Sequence, residues 1–130
     1  MKPNKHGKEI QPACTRSLTA VGDALYAIGG KWKLRIIIAL SGGNRRFNEL
    51  QRIVEGISAK VLSNELKELE MNGFIKRNVD TGFPIVVEYE LTEYSHTLQK
   101  VLEALSEWGE MHRKTIMKTS RQNTLADSIN

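Results

Sequence analysis

The sequence predicts a mainly α-helical fold carrying one β-hairpin (α+β), on three observations. Apolar residues recur at three- and four-residue steps over most of the chain, change to a period of two in two runs between Phe74 and Leu91, then return to helical spacing. Two short helical segments meet around Glu55-Gly56, just ahead of the alternating stretch. That stretch is itself two runs flanking Asp80-Thr81-Gly82-Phe83-Pro84, which marks a hairpin.

The elements follow in order. Leu18, Val21, Leu25 and Ile28 share one helical face, and Gly29-Gly30 stops that helix. A second helix starts near Lys31, carries Trp32, Leu34, Ile37, Ile38 and Leu40, and breaks at Ser41-Gly42-Gly43-Asn44. It is apolar on more than one face, so it belongs deep in the core. A third spans about 48–54, with Leu50, Ile53 and Val54 inward. Ser58 reads as the N-cap of a fourth, whose stripe is Leu62, Leu66 and Leu69 and whose end is Asn72-Gly73. Ile75, Arg77 and Val79 then alternate with Phe74, Lys76 and Asn78, and Val87, Tyr89 and Leu91 alternate with Val86, Glu88 and Glu90. Thr92 can cap a long last helix reaching about Ile116, with Leu98, Val101, Leu102, Leu105, Trp108, Met111 and His112 along one side. Two short helices around a tight turn, followed by a hairpin, make a winged helix-turn-helix.

With 130 residues, 40 % of them apolar, the chain has room for one domain with a modest core. That domain is expected over 14–117, its last helix serving dimerisation. Polar, aperiodic stretches at 1–13 and 118–130 read as flexible tails. No apolar run approaches the roughly 20 residues of a membrane span, and 1–11 lack a secretory h-region. A single cysteine, Cys14, excludes an internal disulfide framework and fits the cytoplasm. The net charge of +4 has the sign that a polyanionic partner requires.

Placement of that charge points to double-stranded DNA. With the three leucines of the fourth helix turned inward, Lys60, Ser63, Asn64 and Lys67 share its outward face. Asn can pair two ways with an adenine edge, Ser donates or accepts, and Lys reaches guanine acceptors or phosphate. A solvated helix face would look similar alone; its place between a tight turn and a hairpin favours DNA. Ser58 belongs to the same site as the cap of that helix. Arg45 and Arg46 precede the third helix, where guanidinium groups and helix amides suit a phosphate. Lys76 and Arg77 stand at the base of the hairpin, and since they alternate, at most one faces the DNA. The wing tip Asp80-Thr81-Gly82 has no cation, so the wing is expected to add less than usual to minor-groove binding.

The apolar face of the last helix (Leu98, Val101, Leu102, Leu105, Trp108 and Met111) is longer than so small a core needs. A two-fold partner would cover the excess and set two recognition helices one DNA turn apart. Cys14 is the candidate redox residue, placed just ahead of the first helix beside Arg16. No catalytic motif, nucleotide loop or metal spacing is present, so no cofactor is expected; His96 and His112 lie sixteen residues apart without further ligands.

At this point the chain resembles the HxlR family, a branch of the MarR-like winged-helix regulators. The residues that carry the likeness are Ile28-Gly-Gly-Lys-Trp32, Arg45-Arg-Phe-Asn-Glu-Leu50, Gly56-Ile-Ser-Ala-Lys-Val-Leu-Ser63, Leu66-Lys-Glu-Leu-Glu70 with Gly73, and Val87-Glu-Tyr-Glu-Leu-Thr92. They cover about 19–110 in the family's order. The resemblance implies a bacterial, dimeric transcription regulator with the fourth helix in the major groove and the first and last helices at the dimer interface. The family's usual Cys-Pro, about ten residues before the Gly-Gly, is Thr19-Ala20 here, so thiol sensing does not transfer to this position. The inducing signal stays open between a small-molecule and a redox effector. A rival reading is a winged helix that binds protein and has lost its DNA contacts; the lysines of the fourth helix speak against it. An enzyme with Cys14 as nucleophile lacks a base to activate the thiol.

Overall fold

Pro12 lacks the N–H that a first helical position leaves unpaired anyway, and helix α1 (Pro12–Ile28) begins there in the computed structural model. The structure describes residues 12–129, with side chains over 13–123. The early start of α1 puts Cys14 in its first turn instead of ahead of it. Residues 1–11 of the expected N-terminal tail lie outside the described residues. Leu18, Val21 and Leu25, the apolar stripe of α1, are all exposed, and of the expected face only Ile28 is buried.

Helix α2 (Lys33–Ser41) buries Ile36, Ile37, Ala39 and Leu40. It starts two residues later than the pattern suggests, after Gly30 in a positive-φ turn. Helix α3 (Phe47–Ile53) and helix α4 (Ala59–Met71) enclose the tight turn. There Gly56 adopts φ 86°, a conformation in which a Cβ would clash with its own backbone, while Val54 and Ile57 on either side are buried. At the far end of α4, Gly73 (φ 80°) sits one past the cap. Its N–H reaches the Glu70 carbonyl (3.0 Å) and the Phe74 N–H reaches the Leu69 carbonyl (3.0 Å), a pairing that reverses the chain into the hairpin.

Strands β1 (Ile75–Asp80) and β2 (Val86–Leu91) pair antiparallel, Ile75 opposite Leu91 and Asp80 opposite Val86. The register sets Ile75, Arg77 and Val79 against Leu91, Tyr89 and Val87 on one face. Lys76, Asn78 and Asp80 stand against Glu90, Glu88 and Val86 on the other. Arg45 makes one isolated bridge to the outer side of β2, its N–H to the Tyr89 carbonyl (3.1 Å) and its carbonyl to the Tyr89 N–H (2.7 Å). The Thr92 hydroxyl donates to the Gly73 carbonyl and its N–H to the Phe74 carbonyl, closing the hairpin base. Ile36, Ile37, Leu50, Leu62, Leu66, Leu69 and Ile75 form the fully buried core, each contributing about 1.5–3 kcal/mol of transfer energy.

The chain divides into two units after Thr92. In the second, a 3-10 turn (Glu93–Leu98) comes before helix α5 (Gln99–Ile129), so the α-helix starts at Gln99 and not directly after Thr92. Its 31 residues span about 46 Å and run past the expected end near Ile116. The backbone over 118–129, read from sequence as tail, is thus helical.

Candidate nucleic-acid interface

Helix α4 is amphipathic by the simplest rule. Leu62, Leu66 and Leu69 are buried, so the residues opposite them must face outward. Lys60, Asn64 and Lys67 are exposed and Ser63 is half-buried at the margin of their stripe. Met71, four residues past Lys67, continues the same face and is 85 % exposed. The spacing from Lys67 was the signal for it. Ser58 occupies the N-cap: its Oγ accepts the Val61 N–H (3.2 Å), which leaves the hydroxyl proton available for a phosphate oxygen.

Besides its buried leucines, an ion triad ties this helix to α2. Lys33, buried at the start of α2, sends its Nζ to Glu65 (2.8 Å) and Glu68 (2.5 Å), one turn apart on α4. Burial alone pulls an ammonium down, but the hydrogen bonds and charges of Glu65 and Glu68 outweigh it and leave Lys33 above the ordinary lysine range. The buried leucines set the rotation of α4 about its axis, and the triad adds a tie on the flank of the stripe. The signal in the sequence was a lysine beside a tryptophan and two glutamates at a three-residue step; neither points to the other until the helices meet.

The two arginines of the expected phosphate clamp part company. Arg45 is half-buried: its Nε donates to the Ala39 carbonyl (3.4 Å), and its guanidinium lies so close over Gly42 that a Cβ there would come within 2.9 Å of Nη2. Arg46 is exposed at the N-cap of α3. Its own N–H is taken by the Glu49 carboxylate (3.0 Å), which places an anion at the helix start that was expected to receive a phosphate.

The hairpin separates Lys76 from Arg77 in the same way. Lys76 pairs with Glu90 across the strands (3.7 Å), and Asn78 donates to the same carboxylate (2.6 Å). Arg77 is exposed on the opposite face. At the tip, Asp80 accepts the Gly82 N–H (3.0 Å), and Phe83, Pro84 and Ile85 stand exposed beyond it.

Of the residues expected at a dimer interface, Val101, Leu105, Trp108 and Met111 are exposed, Leu102 is half-buried and Leu98 is buried. Trp108 stacks on His112, four residues on (4.7 Å between centroids). Cys14 is exposed. Thr19, which stands where the resemblance places a cysteine, gives its hydroxyl to the Thr15 carbonyl (3.2 Å). Among the described residues no helix is long and apolar enough to cross a membrane, and no cluster of His, Cys, Asp and Glu is arranged to hold a metal ion.

Known proteins place this arrangement. The family model for HxlR-like helix-turn-helix proteins matches residues 27–117. The HTH-type transcriptional regulator YybR of Bacillus subtilis (strain 168) is 37 % identical over 123 residues, 95 % of this chain and 89 % of that protein. Among solved structures, a transcriptional regulator of the MarR family from Enterococcus faecalis V583 superposes with a TM-score of 0.67 at 36 % identity, covering 78 % of this chain and 92 % of that one. The redox regulator HypR in its reduced form gives 0.71 at 38 % identity, covering 76 % and 98 %.

Proposed function

The chain belongs to the HxlR-like helix-turn-helix family and is a DNA-binding transcription regulator; on that footing we propose that it grips its operator as a homodimer through the outward stripe of α4. The observation that supports this most is the pairing of a fully buried leucine face with an exposed Lys60-Asn64-Lys67 face on one helix, which Lys33 also ties to α2. In this reading Asn64 and Ser63 read base edges from the major groove, while Lys60, Lys67, Ser58 and Arg46 meet phosphates. Arg77 is the hairpin's free contributor; Lys76 and Arg45 serve it less directly, being engaged by Glu90 and by the Ala39 carbonyl. Such a regulator works beside the chromosome, in the cytoplasm.

The homodimer rests on bare apolar faces. Val101, Leu105, Trp108 and Met111 on α5, and Leu18, Val21 and Leu25 on α1, are exposed at helical spacing. A two-fold axis would cover them and set the two α4 helices about 34 Å apart, one turn of DNA.

Asn64→Ala should cost about 1–3 kcal/mol at a single operator position and relax specificity there. Fluorescence anisotropy with the wild-type site and its single-base variants measures this. Equal loss on every sequence would mean that Asn64 touches backbone only.

A redox effector is a second reading, favoured by the similarity to HypR and by the exposure of Cys14 in the first turn of α1. With one cysteine per chain, an oxidant such as diamide would take two electrons and two protons from two thiols. The product is a disulfide between subunits or with a small thiol. Diamide should then weaken operator binding by wild type and leave Cys14→Ser unaffected; equal responses from both would remove Cys14 from the signal path.

A further inference from the structure

Among the exposed large apolar side chains of the described residues Phe83 is the barest, with no part shielded, and Ile85 beside it is 69 % exposed. Together with Pro84 they make an apolar point at the end of the hairpin, held by the Asp80 bond to the Gly82 N–H. The tip has no cation, and on the hairpin's polar face Asp80, Glu88 and Glu90 outnumber Lys76, which Glu90 already engages. Insertion of a charged side chain into a minor groove is therefore not the chemistry on offer. Side chains of the type present here, Phe, Pro and Ile, act on DNA by wedging between base steps.

Reach and attachment favour that target. Six residues per strand extend about 20 Å, against about 17 Å for half a DNA turn, the interval from a major groove to the neighbouring minor groove. The hairpin grows directly from the C-terminal end of α4 through Gly73, with Phe74 and Ile75 buried at its root. The Arg45–Tyr89 bridge ties its second strand to the segment before α3. The point thus moves with α4.

We propose that Phe83, backed by Ile85, is an apolar wedge that enters the minor groove flanking the α4 site and partly unstacks one base step. A wedge selects by deformability, so flexible pyrimidine–purine steps would be preferred at a position no hydrogen bond reads. This rests on the reading of α4 as the DNA-contacting helix. It alters the expectation for the wing: its contribution is small in charge but not in affinity.

The test uses the full-length protein and its own upstream DNA, footprinted to find the site, then resynthesised with 2-aminopurine at successive steps on either side. Wild type should raise the fluorescence at one flanking step. Phe83→Ala should abolish that rise and weaken binding roughly ten-fold with the salt slope unchanged, because no counterion is released by a phenyl ring. Phe83→Leu should recover most of both. If Phe83→Ala binds and fluoresces like wild type while the Lys60→Ala, Lys67→Ala double variant loses binding, the DNA reading stands and the wedge is wrong. If the double variant also binds like wild type, both fall. A Phe83→Ala loss accompanied by a reduced salt slope would equally overturn the wedge, since the contact would then be ionic.

Discussion

Helices α4 and α5 obey the same sequence rule and end differently. Both repeat apolar residues at three- and four-residue steps. On α4 those residues are Leu62, Leu66 and Leu69, all buried; on α5 they include Leu105, Trp108 and Met111, about half exposed. Periodicity shows that a helix has an apolar face, and says nothing about which molecule covers it. In α4 the face belongs to the chain's own core, and the polar stripe opposite is what remains for a ligand. In α5 the apolar face itself is what remains.

The contrast is broken most sharply by changing one apolar side chain on each helix. Leu66→Ala should lose about 2–5 kcal/mol of folding stability, because the surrounding core cannot close over the space. Met111→Glu should leave the circular dichroism spectrum and the melting temperature nearly unchanged while the sedimenting mass falls from dimer to monomer at tens of micromolar. A Met111→Glu protein that unfolds like Leu66→Ala would make the α5 face part of the chain's own core. A wild-type protein already monomeric at that concentration would remove the dimer.

A smaller effect concerns how α4 is held. The Lys33 triad should contribute on the order of 1 kcal/mol, since Glu68 is largely exposed and Glu65 partly so. Lys33 is raised in the folded protein, so its contribution is fully present below the unfolded lysine value of about 10.4. It is lost only as pH climbs through the higher folded value. The stability gap between wild type and Lys33→Met should therefore be flat from pH 6 to 9 and close above about pH 10.5. A gap that closes near neutrality would assign the effect to other groups.

Much of this was legible in the residues, for reasons that differ by element. The helix order, the Ser58 cap and the Gly73 reversal are local events, decided within one turn of chain, and they appear where the sequence places them. The two faces of each strand followed from alternation, while the register came only with the structure, because it depends on where the turn closes. What escaped was set by groups distant in sequence. Arg45 and Arg46 look equivalent in a row, yet pairing with Tyr89 turns one inward and leaves the other out. Lys76 is taken up by Glu90, fourteen positions away. The start of α1 at Pro12 was missed because Ala13 to Ser17 carry no apolar periodicity, although proline at a first helical position was a signal.

The claim that α4 reads DNA with its outward stripe is tested most directly by the salt dependence of operator affinity. Wild type is compared with the Lys60→Ala, Lys67→Ala double variant, both checked for an unchanged melting temperature. Both lysines are exposed, so the fold should not respond. If each neutralises one phosphate, the slope of log affinity against log salt should fall in magnitude by about two, with weaker binding to all sequences alike. A double variant that binds its operator as tightly as wild type at moderate salt, on the same slope, would contradict the assignment of this face to DNA.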